Sequence, residues 1–149
     1  LGHNGPYGPT NRGFDHYLGI PYSNDMGCTD TPGYNLPPCP RCVSSRPEVI
    51  RLRRSLHRGC YSKVGLPLIE NSTITEQPLD LWRLTEQYKS AALRVIRSAR
   101  ARGQPYLLYI ASAHMHVPLA PPLLAATAAP RRSDGVYAAS LQELDDLVG

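Results

Sequence analysis

The residue types and spacings best suited to chemistry lie in the run His114-Met115-His116-Val117-Pro118. An imidazole titrates near neutral pH, so it can hold an anionic group when protonated or pass a proton to a leaving oxygen. In an extended chain the two rings point to opposite sides and only one faces a given ligand unless the backbone turns, and Pro118 favours such a turn. Histidines that only pack or sit at the surface would carry the same spacing. Ser23, in Ile20-Pro21-Tyr22-Ser23-Asn24-Asp25, reads on its own as a turn residue with its hydroxyl on the local backbone. Cys28, Cys39, Cys42 and Cys60 suit zinc, with Cys39-x-x-Cys42 as a knuckle and Cys28, Cys60 or His57 completing four ligands, or two disulfides in a secreted or lumenal protein. Asn71-Ser72-Thr73 is an N-glycosylation acceptor, which weights the cysteines toward disulfides while leaving their pairing open. The adjacent Asp145 and Asp146 read as a solvated helix face. No Gly-x-Ser-x-Gly elbow, P-loop or dinucleotide fingerprint is present.

Position in the fold follows from the flanking patterns. Asp80 is a good N-cap, and Leu81, Leu84, Tyr88, Ala91, Ala92, Val95 and Ala99 recur at three- and four-residue steps. They predict an amphipathic helix of about six turns, ended by Gly103 and Pro105. The apolar run Tyr106 to Ala113 then predicts a strand covered on both faces. His114 and His116 therefore fall at a strand's carboxyl end, where ligands bind in open α/β sheets. After a second Pro-rich loop, Asp134 can cap a last helix with Tyr137, Leu141, Leu144 and Val148 on one side. A weaker strand is expected over Phe14 to Ile20, and residues 24–79 read as a loop-rich, cysteine-containing segment, in which 48–59 also reads as loop. The fold class is α/β with a mostly parallel sheet. One confident strand and two helices cannot complete such a sheet, so its neighbours are expected in other parts of a larger domain.

The chain has 149 residues with 15 Pro, 12 Gly and 42% hydrophobic residues, a length within the range of one domain. The hydrophobic content and the aromatics, nine Tyr with one Trp and one Phe, are too high for a disordered chain although mean hydropathy is an ordinary −0.31, and no run reaches the roughly 20 apolar residues of a membrane span. The sequence opens Leu-Gly-His-Asn-Gly, with no visible signal peptide, and reads as a piece of something longer. The net charge of +4 is local: Arg41 to Lys63 holds seven basic residues against Glu48. Such a segment is a solvated loop or a contact for polyanions.

Arg12-Gly13-Phe14-Asp15, then Leu18-Gly19-Ile20-Pro21-Tyr22-Ser23, then Tyr106-Leu107-Leu108-Tyr109 leading into His114-Met115-His116-Val117-Pro118, and finally Leu144-Asp145-Asp146-Leu147-Val148-Gly149 resemble, in that order, the middle of the type I sulfatases. The resemblance covers nearly the whole chain and is weakest over 43–58 and 119–136. It implies an alkaline-phosphatase-like α/β sandwich, incomplete here, with residues 1–149 as the central part of the N-terminal catalytic domain. The implied activity is sulfuric ester hydrolysis of aryl sulfates or glycosaminoglycans, in a lysosomal or secreted enzyme with no nucleic-acid partner. The family uses a formylglycine made within Cys-x-Pro-x-Arg and a calcium ion. Neither that motif nor the calcium ligands are matched here, so both are expected in the remainder of the same polypeptide, and the 149 residues alone are expected to be inactive. Two positions match site residues: Ser23, implied to contact substrate, and His116, implied to bind sulfate and assist the leaving oxygen. His114 is a weaker third candidate. The alternative from another class is a noncatalytic secreted or zinc-stapled module that binds polyanions.

Overall fold

The computed structural model describes residues 5–28, 42, 65–122 and 132–149, and the fold is given for these. Two 3-10 turns, Gly5–Tyr7 and Pro9–Arg12, lead to strand β1 (Leu18–Gly19) and a further 3-10 turn, Asn24–Met26. Strands β2 (Leu68–Glu70) and β3 (Thr73–Glu76) come next as a hairpin. A 3-10 turn, Leu81–Arg83, then runs into helix α1 (Leu84–Arg102), and helix α2 (Arg132–Val148) comes last.

Helices and strands together make the fold α/β, but the described sheet is antiparallel, in the order β1-β2-β3. Leu18 lies opposite Glu70, and Ile69 opposite Ile74. The two-residue link Asn71-Ser72 permits only antiparallel pairing, since a parallel pair needs a long crossover. Asn71 takes φ 56, which its short polar side chain tolerates better than most. Its amide N–H donates to the Tyr17 carbonyl at 2.8 Å and its Oδ1 accepts from the Tyr17 N–H at 3.0 Å. The hairpin tip is thereby tied to the residue leading into β1. The strand expected over Phe14 to Ile20 contracts to Leu18–Gly19.

Helix α1 ends at Gly103 as its sequence says, but it begins at Leu84, because Asp80 caps the 3-10 turn Leu81–Arg83 that runs into it. The Asp80 carboxylate accepts from the Trp82 N–H at 3.0 Å, and Gly103, at φ 61, returns its N–H to the Ala99 and Arg100 carbonyls. Leu84 joins Leu66, Leu68, Leu79 and Leu81 in the core, with Leu18, Ile20, Tyr22 and Tyr88 packed against it. A Cβ on Gly27 would stand 2.8 Å from backbone atoms of Leu66. Glycine is needed here because the Leu66 N–H reaches the Cys28 carbonyl at 2.7 Å. Cys28 is joined to Cys42 by a disulfide. Cys39, Cys60, His57 and the Arg-rich segment beyond Cys42 lie outside the described residues.

Three expectations need correction. Helix α2 begins at Arg132, so Asp134 sits inside its first turn and is not the cap. Its buried side is Gly135, Ala139, Ser140 and Glu143, while Tyr137, Leu141 and Val148 are exposed and Leu144 is half-buried. Small side chains allow close approach to α1, and Glu143 has partners there that an apolar stripe would not supply. The third concerns Tyr106–Ala113, which forms no ladder: Leu107 is 81% and Tyr109 71% exposed. A central strand exists only when both its edges are hydrogen-bonded, and no described strand pairs with it.

Candidate functional site

The end of the Tyr106–Ala113 run, the 3-10 turn Asn24–Met26 and the first turn of α1 converge with α2 around the histidine segment. Asn24 is buried and its Nδ2 donates to the Ala113 carbonyl at 3.2 Å. That bond carries Ser23, the preceding residue, to His116: Ser23 Oγ and His116 Nε2 are 3.2 Å apart across 93 residues of sequence. His116 Nδ1 is 2.6 Å from the Val117 carbonyl, which can only accept, so Nδ1 carries a hydrogen. Nε2 is thus the nitrogen that gains or loses a proton. Neutral, it accepts from the Ser23 hydroxyl; protonated, it donates to an anion in front of it.

His114 is turned the other way. Its side chain is 10% exposed and that of Glu143 9%, with Nε2 and Oε2 3.2 Å apart. Thr85 Oγ1 is 2.8 Å from the same Nε2 and donates to Glu143 Oε1 at 2.5 Å. On the other side of the ring, Ser112 Oγ is 3.0 Å from Nδ1 and accepts from the His114 backbone N–H at 3.1 Å. Between the two histidines Met115 takes φ 69, a left-handed conformation that costs a non-glycine residue about 1 kcal/mol. A small cavity of about 20 Å³ touches Asn24, Leu84, His114, His116 and Glu143.

Of the residues singled out from the sequence, Ser23 and His116 are brought together and His114 is directed into the interior. Thr85, Ser112 and Glu143 were not singled out. The only sequence sign of them is polarity at buried helix positions: Thr85 next to Leu84 in α1, and Glu143 one turn from Ala139 in α2. Asp145 and Asp146 are exposed, as a solvated helix face requires.

Among the described residues, no three His, Cys, Asp or Glu side chains gather where they could hold a metal ion. Calcium therefore finds no ligand set among the described residues. The zinc arrangement also loses Cys28 and Cys42 as thiolates, because they are bonded to each other.

Behind the site, burial pushes the Tyr88 phenol well above the usual tyrosine range, with the charge of Tyr17 adding to the shift and a hydrogen bond at Ile20 opposing it. Burial raises Tyr17 as well. Because the folded form holds its proton to higher pH, Tyr88 contributes full stability below the unfolded value of about 10 and loses it as pH rises beyond that. The urea midpoint should therefore fall more between pH 9 and 11 in the natural protein than in Tyr88→Phe. Parallel curves would contradict the burial of the phenol.

No family model matches the chain. In whole-sequence comparison it is 33% identical to arylsulfatase A of Homo sapiens over 153 aligned residues, covering all of this chain and 26% of that protein. This identity over the whole chain places it in a class: it belongs to the sulfatase family. Its likeness is to arylsulfatase G in particular, at 54% identity over 149 residues with the proteins of Canis lupus familiaris and Homo sapiens. All of this chain is covered in both matches, against 26% and 27% of the two relatives, so it spans about a quarter of their length.

Proposed function

We propose that this chain supplies part of the substrate side of a sulfuric ester hydrolase, with His116 Nε2 and Ser23 Oγ binding the sulfate group. The observation that carries the reading is their 3.2 Å approach, made by segments 93 residues apart, with Nδ1 of the same ring held by Val117. A sulfate monoester keeps one negative charge at any physiological pH. It therefore favours the imidazolium, which donates from Nε2, while the Ser23 hydroxyl donates to a second oxygen. The same Nε2–H is oriented to follow the charge that builds on the leaving oxygen as the S–O bond breaks, and can neutralise it by proton transfer.

The formylglycine and the calcium ion belong, on this reading, to other parts of the polypeptide. Sulfated aryl compounds and glycosaminoglycans are the substrates proposed, and the local excess of Arg between Arg41 and Lys63 favours the polyanion. A lysosomal or secreted location is supported by the Cys28–Cys42 disulfide and by Asn71, exposed at the hairpin tip with its Nδ2 left to carry a glycan. No described helix is long and apolar enough to cross a membrane.

The test compares two purified polypeptides on 4-nitrocatechol sulfate: the full-length protein that carries this segment, and the 149 residues alone. Turnover by the first and none by the second is the expected result. Calcium-dependent turnover by the 149 residues would overturn the placement of the nucleophile, and no turnover by either would overturn the activity.

A further inference from the structure

The buried cluster around His114 borders the small cavity that also touches His116, the residue proposed to bind sulfate. We infer that His114 is a positioning residue, clamped by Ser112, Thr85 and Glu143 so that the Met115 turn presents His116 Nε2 to Ser23. This rests on the reading of His116 as a sulfate-binding group.

The hydrogens on the clamp can be assigned by elimination. The single hydroxyl hydrogen of Thr85 is spent on Glu143 Oε1, so toward His114 its oxygen can only accept. The carboxylate Oε2 is also an acceptor. Nε2 of His114 therefore carries a hydrogen shared between Thr85 and Glu143. On Nδ1 both states are satisfied. Neutral, it accepts from the Ser112 hydroxyl; protonated, it donates to Ser112 Oγ, which already accepts the His114 backbone N–H. Every polar atom of the ring has a partner in either state, and these come from three segments: the end of the 106–113 run, α1 and α2.

Such a ring is an anchor more than a reagent. Met115, the left-handed residue, is the single link between this anchor and His116. A non-glycine residue holds that conformation only when the structure on both sides over-determines it. On one side stands the His114 clamp. On the other, His116 is fixed by Val117 and Ser23, and Ser23 is fixed through Asn24 to Ala113. Releasing the clamp lets Met115 relax to an ordinary φ and rotates His116 off the serine. A packing role alone would lower stability and leave the geometry of His116 as it is.

A mutant cycle in the full-length protein separates the two. The variants are His114→Ala, His116→Ala, the double variant and His114→Gln, assayed for kcat and KM on 4-nitrocatechol sulfate, each well below its own Tm. His114→Ala should lose roughly ten- to thirtyfold in kcat/KM, and the double variant should be within about twofold of His116→Ala alone, because the clamp acts only through His116. His114→Gln, whose amide can offer a donor near the Nε2 position, should recover to within about threefold of the natural enzyme. Additive losses, or His114→Ala with unchanged kcat/KM and only a lower Tm, overturn the inference while leaving His116 in its role. If His116→Ala itself is fully active, the functional reading fails first and this inference with it. Should His114→Ala not fold, Glu143→Gln takes its place in the same cycle with the same criterion.

Discussion

In the full-length protein, His116→Ala lowers kcat/KM for an aryl sulfate by about 100- to 1000-fold, the range for removing a group that stabilises developing charge or transfers a proton. The loss should fall mainly on kcat if Nε2 neutralises the leaving oxygen, and be shared with KM if it mainly binds sulfate. Ser23→Ala should lose about tenfold, since a neutral hydroxyl supplies one hydrogen bond and no charge. The order His116, then His114, then Ser23 or close to it, reflects charge and placement: one imidazole is the proposed sulfate-binding group, the other is 3.2 Å from a buried carboxylate. Steady-state kinetics on the three alanine variants checks it. Small and equal losses for His116→Ala and His114→Ala would remove both from the roles given to them.

What was legible in the sequence is local, and what was not is mutual. Helix α1 could be placed to within a few residues because its signals are chemical and short-range: Asp80 accepting an N–H two residues on, and Gly103 supplying a left-handed φ. Helix α2 shows the limit. Its apolar spacing at Tyr137, Leu141 and Val148 is real, but the face it turns to α1 is chosen by Ala139, Ser140 and Glu143, whose partners Thr85 and His114 lie far away in sequence. Periodicity reports a side chain's aversion to water and is silent about a carboxylate with a buried imidazole waiting for it. The approach of Ser23 to His116 is similarly a long-range fact. The resemblance to the type I sulfatases named both residues, but the bond between Asn24 and Ala113 that brings them together leaves no pattern in the chain.

The Tyr106–Ala113 run carries the other large expected effect. Its eight residues hold no charge, and Leu107, Tyr109 and Ile110 are all exposed beside a cavity of about 1100 Å³ bounded by residues 5–21, α1 and 104–111. Burying one such side chain is worth about 1.5–3 kcal/mol, so covering the run would contribute a large part of a domain's net stability. A parallel sheet built around it would satisfy both the apolar pattern and the backbone groups that have no ladder partner among the described residues. In the full-length protein, the amides of Leu107 to Ile110 should therefore exchange with deuterium at least roughly 1000-fold more slowly than in the 149-residue chain, because they would open only with the core. Hydrogen-exchange mass spectrometry on both polypeptides measures the ratio. Slow exchange in the shorter chain that strengthens with concentration would assign the cover to a second copy, and fast exchange in both would mean that the run is a surface segment with no sheet around it.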